Sequence, residues 1–266
     1  MTSPENPEAA AARRAAPDAI PVLLSSASEE VIHALLENPA LDETHVCLLL
    51  ERKDLPSSVL EEISKRKAWH ASHRIRRALA AHPHTPRLIA MRLLRELYLL
   101  DLVQISLAPA CSAELRRLAD ARILTQLPQL PLGQKLMLAR RGSARVAGGL
   151  IAQESAQVAR IALDNAFLTE SQLLKALARE NLSAAVVAAA ASHARWSQLI
   201  TVRAALLRHP NLRPDRAAAY LPTLPLGELK EIVNTSRLPE SVRERVREEL
   251  ERRKVSELPE ESEELD

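Results

Sequence analysis

A short phrase recurs along this 266-residue chain: an apolar run, then Asn or His, then proline. It reads Ala34-Leu-Leu-Glu-Asn-Pro39, Ala78-Leu-Ala-Ala-His-Pro83 and Ala205-Leu-Leu-Arg-His-Pro210. Degenerate copies follow around Ala108-Pro109, Asn165-Ala166, Ser192-His193 and Asn234-Thr235. A residue that tolerates the end of a helix, followed by one that cannot continue it, is a stop signal. The restarts are marked as well: Thr85 is placed to cap and Pro86 to open the next helix, and Pro56, Pro214 and Pro239 stand similarly. After each restart apolar residues return at three- and four-residue intervals, as in Leu88, Met91 and Leu94. The copies lie about 17 to 44 positions apart, mostly near 25, which is the length of one helix pair.

Two longer matches strengthen the repetition. Leu127-Pro-Gln-Leu-Pro-Leu-Gly133 and Leu221-Pro-Thr-Leu-Pro-Leu-Gly227 differ at a single position, and residues 34–59 run parallel to residues 162–187. A helix pair of this size cannot bury its apolar stripe alone, but pairs stacked on one another can. Composition agrees, because only five residues are glycine and five are aromatic (Trp69, Trp196, Tyr98, Tyr220 and Phe167). That supply argues against a β-sandwich or an open α/β sheet, and the core must be filled by aliphatic side chains. The expected fold is all-α: a right-handed α-α superhelix of degenerate helix-pair repeats, with a disordered or loosely helical leader over 1–18, one solenoid domain over 19–254 and an acidic disordered tail over 255–266. Glu240–Lys254, with its apolar seam of Val242, Val246 and Leu250, reads as the polar C-terminal cap of the stack.

The segments Ile75-Arg76-Arg77-Ala78-Leu79-Ala80-Ala81-His82-Pro83 and Val202-Arg203-Ala204-Ala205-Leu206-Leu207-Arg208-His209-Pro210 resemble the repeat signature of bacterial leucine-rich repeat variant proteins, within the ARM/HEAT-type α-solenoids. The resemblance covers roughly residues 28–252 and departs from the variant family in lacking a cysteine cluster for an iron–sulfur centre. It implies architecture, not chemistry. By the same resemblance, the helices carrying Arg76, Arg77, Arg160 and Arg203 line the concave surface.

Charge is unevenly distributed. Counting Lys and Arg against Asp and Glu gives −6 over 1–60, +10 over 61–145, +4 over 146–256 and −6 over 257–266. Lys65 to Arg95 holds nine cations and no acid, together with His70, His73, His82 and His84. Such a segment is either a basic binding face or merely solvated surface. The candidate binding residues are Arg74, Arg76, Arg77, Arg160 and Arg203; the competing reading has them bracing carbonyls or carboxylates of adjacent repeats. The expected partner is an acidic protein or peptide. Nucleic acid is the alternative, disfavoured by the shortage of aromatics for stacking near the basic stretch; a structural subunit whose exposed repeat ends polymerise or dock is a third, and the acidic tail could fold back on the basic surface until a partner displaces it.

No other motif rises to a site. His70-Ala-Ser-His73 and His82-Pro-His84 invite a metal reading, but no acid lies near them in sequence to complete a ligand set. Arg140-Arg-Gly-Ser-Ala-Arg-Val-Ala-Gly-Gly149 lacks the strand and Gly-Lys-Ser/Thr of a phosphate loop, so Gly142 is expected to end a helix and Gly148 and Gly149 to allow close packing. Neither GxSxG nor HExxH occurs, and no paired carboxylates stand at catalytic spacing. The expectation is therefore a non-enzymatic, cofactor-free scaffold with no metal, no small-molecule substrate and no membrane span. Cys47 and Cys111 are expected to be buried structural thiols, and the location cytoplasmic.

Overall fold

The computed structural model describes residues 6–153, 155–234, 238 and 240–257; Pro239 and the acidic segment 258–266 lie outside the described residues. The chain is all-helical, with no strand among the described residues. It divides into two compact units, 1–126 and 127–266, where the repeat pattern suggested one continuous domain.

The first unit contains α1 (Pro7–Ala12), α2 (Ile20–Leu23), α3 (Glu29–Leu36), α4 (Glu43–Glu51), α5 (Ser57–Lys65), α6 (Lys67–His70), α7 (His73–Ala81), α8 (Arg87–Glu96), α9 (Leu99–Leu107) and α10 (Ala113–Gln126). The second contains α11 (Leu132–Arg141), α12 (Ala144–Gln153), α13 (Ala156–Leu163), α14 (Glu170–Leu177), α15 (Ala184–Ser192), α16 (Ile200–Leu207), α17 (Pro214–Tyr220), α18 (Leu226–Val233) and α19 (Glu240–Glu257). Helix starts at 29, 43, 57, 73, 87, 99 and 113 in the first unit return at 156, 170, 184, 200, 214, 226 and 240 in the second, each 127 positions later. Inside a unit the period is not a helix pair: α3 and α7 begin 44 positions apart, as do α13 and α16, with three main helices per period. The first helix of each period carries a buried β-branched residue at the same register, namely Val31, Ile75, Val158 and Val202.

Why Asn or His stands at each stop becomes clear from its side chain. The last carbonyls of a helix have no partner inside the helix and must find one elsewhere. Buried Asn38 donates Nδ2–H to Ala12 O (2.9 Å), at the end of α1, and to Ala15 O (3.0 Å), just past it, and accepts Ala40 N–H at Oδ1. Buried Asn165 repeats this with Ala139 O (2.8 Å), Gly142 O (3.1 Å) and Phe167 N–H. In the other period the ring of His82 bonds Arg52 O (2.6 Å) and accepts His84 N–H, and His209 does the same with Arg179 O (3.0 Å) and Asn211 N–H. His84 and Asn211 then reach Leu55 O and Leu182 O. Asn and His are interchangeable in kind because each offers one acceptor for the local turn and a donor for the preceding period. These residues clamp neighbouring periods together. The backbone of His82, at φ −71° and ψ 134°, is extended, so a tolerated left-handed conformation plays no part there.

Some local expectations change. Within the leader, Pro7–Ala12 form α1, which packs on α3 with Ala9 and Ala12 buried, because alanine's small side chain allows close approach. Thr85 does not cap α8; its hydroxyl donates to Leu79 O, and Pro86 occupies the N-cap. Gly142 does terminate α11, and a Cβ there would lie 2.6 Å from Leu138 O. Gly148 sits against Gln172 of α14. The two Leu-Pro-x-Leu-Pro-Leu-Gly segments form the same local structure, a 3-10 turn leading into α11 and α18, although they occupy different places in the second unit. On α19, Val242 and Val246 are buried, while Arg253 donates to Leu224 O and Leu221 O.

Candidate functional site

Between α4 and α7 of the first unit lies an open groove of about 490 Å³, lined by Cys47, Leu50, Glu51, Lys53, His73, Arg74, Arg77, Ala78 and Ala81. Its floor is apolar, and its rim carries the cations Lys53, Arg74 and Arg77 together with one acid, Glu51. Arg74 and Arg77 lie three residues apart on α7, so they project from neighbouring positions of one face, and Lys53 follows α4 on the opposite wall. The side chain of Arg74 is 70% exposed and comes no closer than 4.0 Å to Glu43. That of Arg77 is 55% exposed and 3.9 Å from Asp101. Contacts at this limit, made by exposed guanidinium groups, hold those groups weakly. Lys53 is exposed, with no ion pair among the described residues.

His73 is held more firmly. Its Nε2 is 2.9 Å from Asp101 Oδ2, and its ring stacks on Tyr98 at 4.5 Å between centroids. Asp101 is buried in the first turn of α9 and serves both His73 and Arg77. Cys47 is only half-buried and lines the groove, contrary to the expectation of an inert core thiol; partial burial pushes its thiol pKa up. Cys111 is buried, with its Sγ 3.6 Å from Ala81 O, and its thiol is raised for the same reason.

The five arginines singled out from the sequence do not form one constellation. Arg74 and Arg77 meet at the groove. Arg76 turns away, half-buried, to Glu96 at 3.3 Å, beside His70 at 3.2 Å from the same carboxylate. Arg160 and Arg203 belong to the second unit. Arg203 is a brace: it donates to Ser197 O (2.6 Å) and Gln198 Oε1 (3.0 Å) and lies 5.7 Å above the Tyr220 ring. Arg160 is exposed on α13. The wider basic run is likewise partly neutralised in space, since Arg66 bonds Leu36 O and Glu62, and Arg87 lies 3.1 Å from Glu114. Among the described residues no group of three or more His, Cys, Asp and Glu could hold a metal ion. The histidine pairs act otherwise, as clamps (His82, His84) and as carboxylate partners (His70, His73).

The second unit has the same groove. Between α14 and α16 lies a cavity of about 520 Å³ lined by Leu174, Leu177, Ala178, Glu180, Ala205, Arg208, His209 and Pro210. Leu174 stands 127 positions after Cys47, Leu177 after Leu50, Glu180 after Lys53, and Ala205 after Ala78. Thr201 replaces Arg74 and hydrogen-bonds Glu170, the counterpart of Glu43. Residues that hold the fold, by contrast, are shared at this offset: Asn38 with Asn165, His82 with His209, Trp69 with Trp196, Arg76 with Arg203. The basic rim is therefore not something this helix arrangement needs in order to form. Lys53 and Cys47 carried no motif in the sequence, because Cys47 lies on α4 and Lys53 just after it, ahead of the basic run, and they meet it only through the α4–α7 packing.

No helix among the described residues is long and apolar enough to cross a membrane. Compared with protein-family models, with curated proteins and with solved structures, the chain finds no match.

Proposed function

We propose that this protein is a non-enzymatic helical-repeat scaffold that binds an acidic segment of a protein or peptide in the α4–α7 groove of its first unit. The observation that carries this reading is the convergence of Lys53, Arg74 and Arg77 on one open groove, where the equivalent positions of the second unit are Glu180, Thr201 and Ala204. A groove with an apolar floor and a cationic rim suits an extended or helical segment whose carboxylates meet the rim. Within each unit the repeating helices fit a right-handed α-α superhelix of the ARM/HEAT type, nearest in character to leucine-rich repeat variant proteins. The two free cysteines fit a cytoplasmic setting.

The test is fluorescence anisotropy with a labelled fifteen-residue glutamate-rich peptide. The Lys53→Glu/Arg74→Glu variant alters two exposed side chains and should weaken binding tenfold or more while leaving the melting temperature unchanged. Unaltered affinity in that variant refutes the reading. Tighter binding to a DNA oligonucleotide than to the peptide, falling log-linearly with salt, would replace it with phosphate-backbone recognition.

A further inference from the structure

We infer that the acidic C-terminal segment of this chain, residues 258–266, is itself a ligand of the α4–α7 groove and holds it against other acidic segments until a tighter-binding one displaces it. The inference rests on the reading of that groove as a site for acidic segments, and it names an occupant and the regulation that follows. Residues 258–266 carry five acids, Glu260, Glu261, Glu263, Glu264 and Asp266, and no Lys or Arg occurs from 255 to 266. Leu258 and Leu265 flank these acids and supply apolar side chains to cover the half-buried Cys47, Ala78 and Ala81 of the groove.

Charge complementarity selects this segment. Acids elsewhere in the chain meet cations close at hand: Glu37 lies 2.6 Å from Arg13, Asp54 2.7 Å from Arg52, Glu240 2.6 Å from Arg243, and Glu249 2.8 Å from Arg252. The acids of 258–266 have no cation beside them in sequence. On the groove the imbalance has the opposite sign, with Lys53, Arg74 and Arg77 against the single acid Glu51, and with Arg74 and Arg77 held only by contacts of 4.0 and 3.9 Å. Opposite signs on two surfaces draw them together and suppress wrong pairings. The second unit offers no such rim, because Glu180, Thr201 and Ala204 stand at the equivalent positions. The segment therefore has one complementary groove of the two.

The experiment uses the full chain and a neutralised full chain combining Glu260→Gln, Glu261→Gln, Glu263→Gln, Glu264→Gln and Asp266→Asn. The neutralised chain should bind the labelled glutamate-rich peptide at least threefold more tightly than the wild type. Removing five negative charges also strengthens attraction to any anion at long range, so the comparison is repeated with Lys53→Glu/Arg74→Glu in both chains, where the gain should vanish. A labelled peptide of residues 256–266 should bind the neutralised chain and lose at least tenfold in affinity when Lys53→Glu/Arg74→Glu is added. The inference is overturned if wild-type and neutralised chains bind the glutamate-rich peptide alike, or if the gain survives the loss of the groove cations. It is also overturned if the neutralised chain takes the glutamate-rich peptide but not the 256–266 peptide. That last result leaves the proposed function standing, whereas binding of neither peptide refutes both.

Discussion

Replacing His82 with alanine tests whether the stop-signal residues are clamps or merely helix terminators. The ring is 2% exposed, bonds Arg52 O at 2.6 Å and accepts His84 N–H at 3.2 Å. Each hydrogen bond contributes about 1 kcal/mol net, and an orphaned buried carbonyl costs about 1–3 kcal/mol. His82→Ala should therefore destabilise the first unit by about 2–4 kcal/mol. His82→Asn keeps an acceptor for the local turn, as Asn38 does with Ala40, and should cost about 1–2 kcal/mol less. Urea unfolding in a Trp196→Phe background provides the assay, because Trp69 is then the sole tryptophan and lies in the first unit. With m of about 2 kcal/mol/M, the midpoint should fall by about 1–2 M at unchanged slope. Burial pushes the pKa of His82 below its ordinary value of 6.5. The unfolded chain then binds the proton more readily than the folded one, so the stabilising contribution is complete above pH 6.5 and is lost as pH falls through the depressed folded value. His82→Ala should flatten that part of the stability–pH curve. A loss below about 0.5 kcal/mol, the level of an ordinary surface substitution, or an unaltered pH dependence, would refute the clamp.

Three further outcomes are expected. Gly142→Ala should destabilise by about 1–3 kcal/mol, because the added Cβ would meet Leu138 O at 2.6 Å, whereas Gly133→Ala, with nothing within 4 Å, should be neutral or stabilising by up to about 1 kcal/mol; paired thermal melts decide it. Cys47 should react with an aromatic disulfide reagent in the native protein while Cys111 reacts only on unfolding, as mass spectrometry of the labelled peptides would show. Glu249, flanked by Arg252 and Arg253, has its pKa lowered to about 2 by hydrogen bonds to Arg252 and Arg253. Its contribution is therefore present above about pH 4.5 and lost as pH falls through about 2, and Glu249→Gln should remove that acid-side decline, measurable by circular dichroism.

Much of the architecture could be read from the chain because proline and the shortage of glycine and aromatics mark helices and their ends directly. The period was harder. The first helix of each three-helix period closes on an Asn/His motif, but α15, a third helix, closes on His193 as well, while α5 is marked only by Pro56 at its start; markers that fall unevenly on the helices make the spacing resemble helix pairs. The 127-residue offset is obscured by size-changing exchanges such as Ile32 for Ala159 and Leu35 for Ala162, which buried positions accommodate together. The matching Leu-Pro-x-Leu-Pro-Leu-Gly segments drew attention to a different offset, since a turn sequence encodes its turn wherever it stands. The basic run includes α7, one wall of the groove, but does not show which of its cations stay available. That depends on Glu62, just before the run in sequence, on Glu96, Asp101 and Glu114, beyond its end, and on Lys53, which comes from the turn after α4.

The account holds that residues shared between the two units maintain the fold while the groove residues are free to set ligand chemistry. Exchanging the first groove toward the second, with Cys47→Leu, Lys53→Glu and Arg74→Thr, tests this in one protein. His73 and Arg77 are kept because they accompany buried Asp101, and Thr at 74 has Glu43 to bond, as Thr201 has Glu170. Titration of the exchanged protein with the glutamate-rich peptide should show at least a tenfold loss of affinity at wild-type melting temperature. Retained affinity, or a variant that no longer folds, would contradict it.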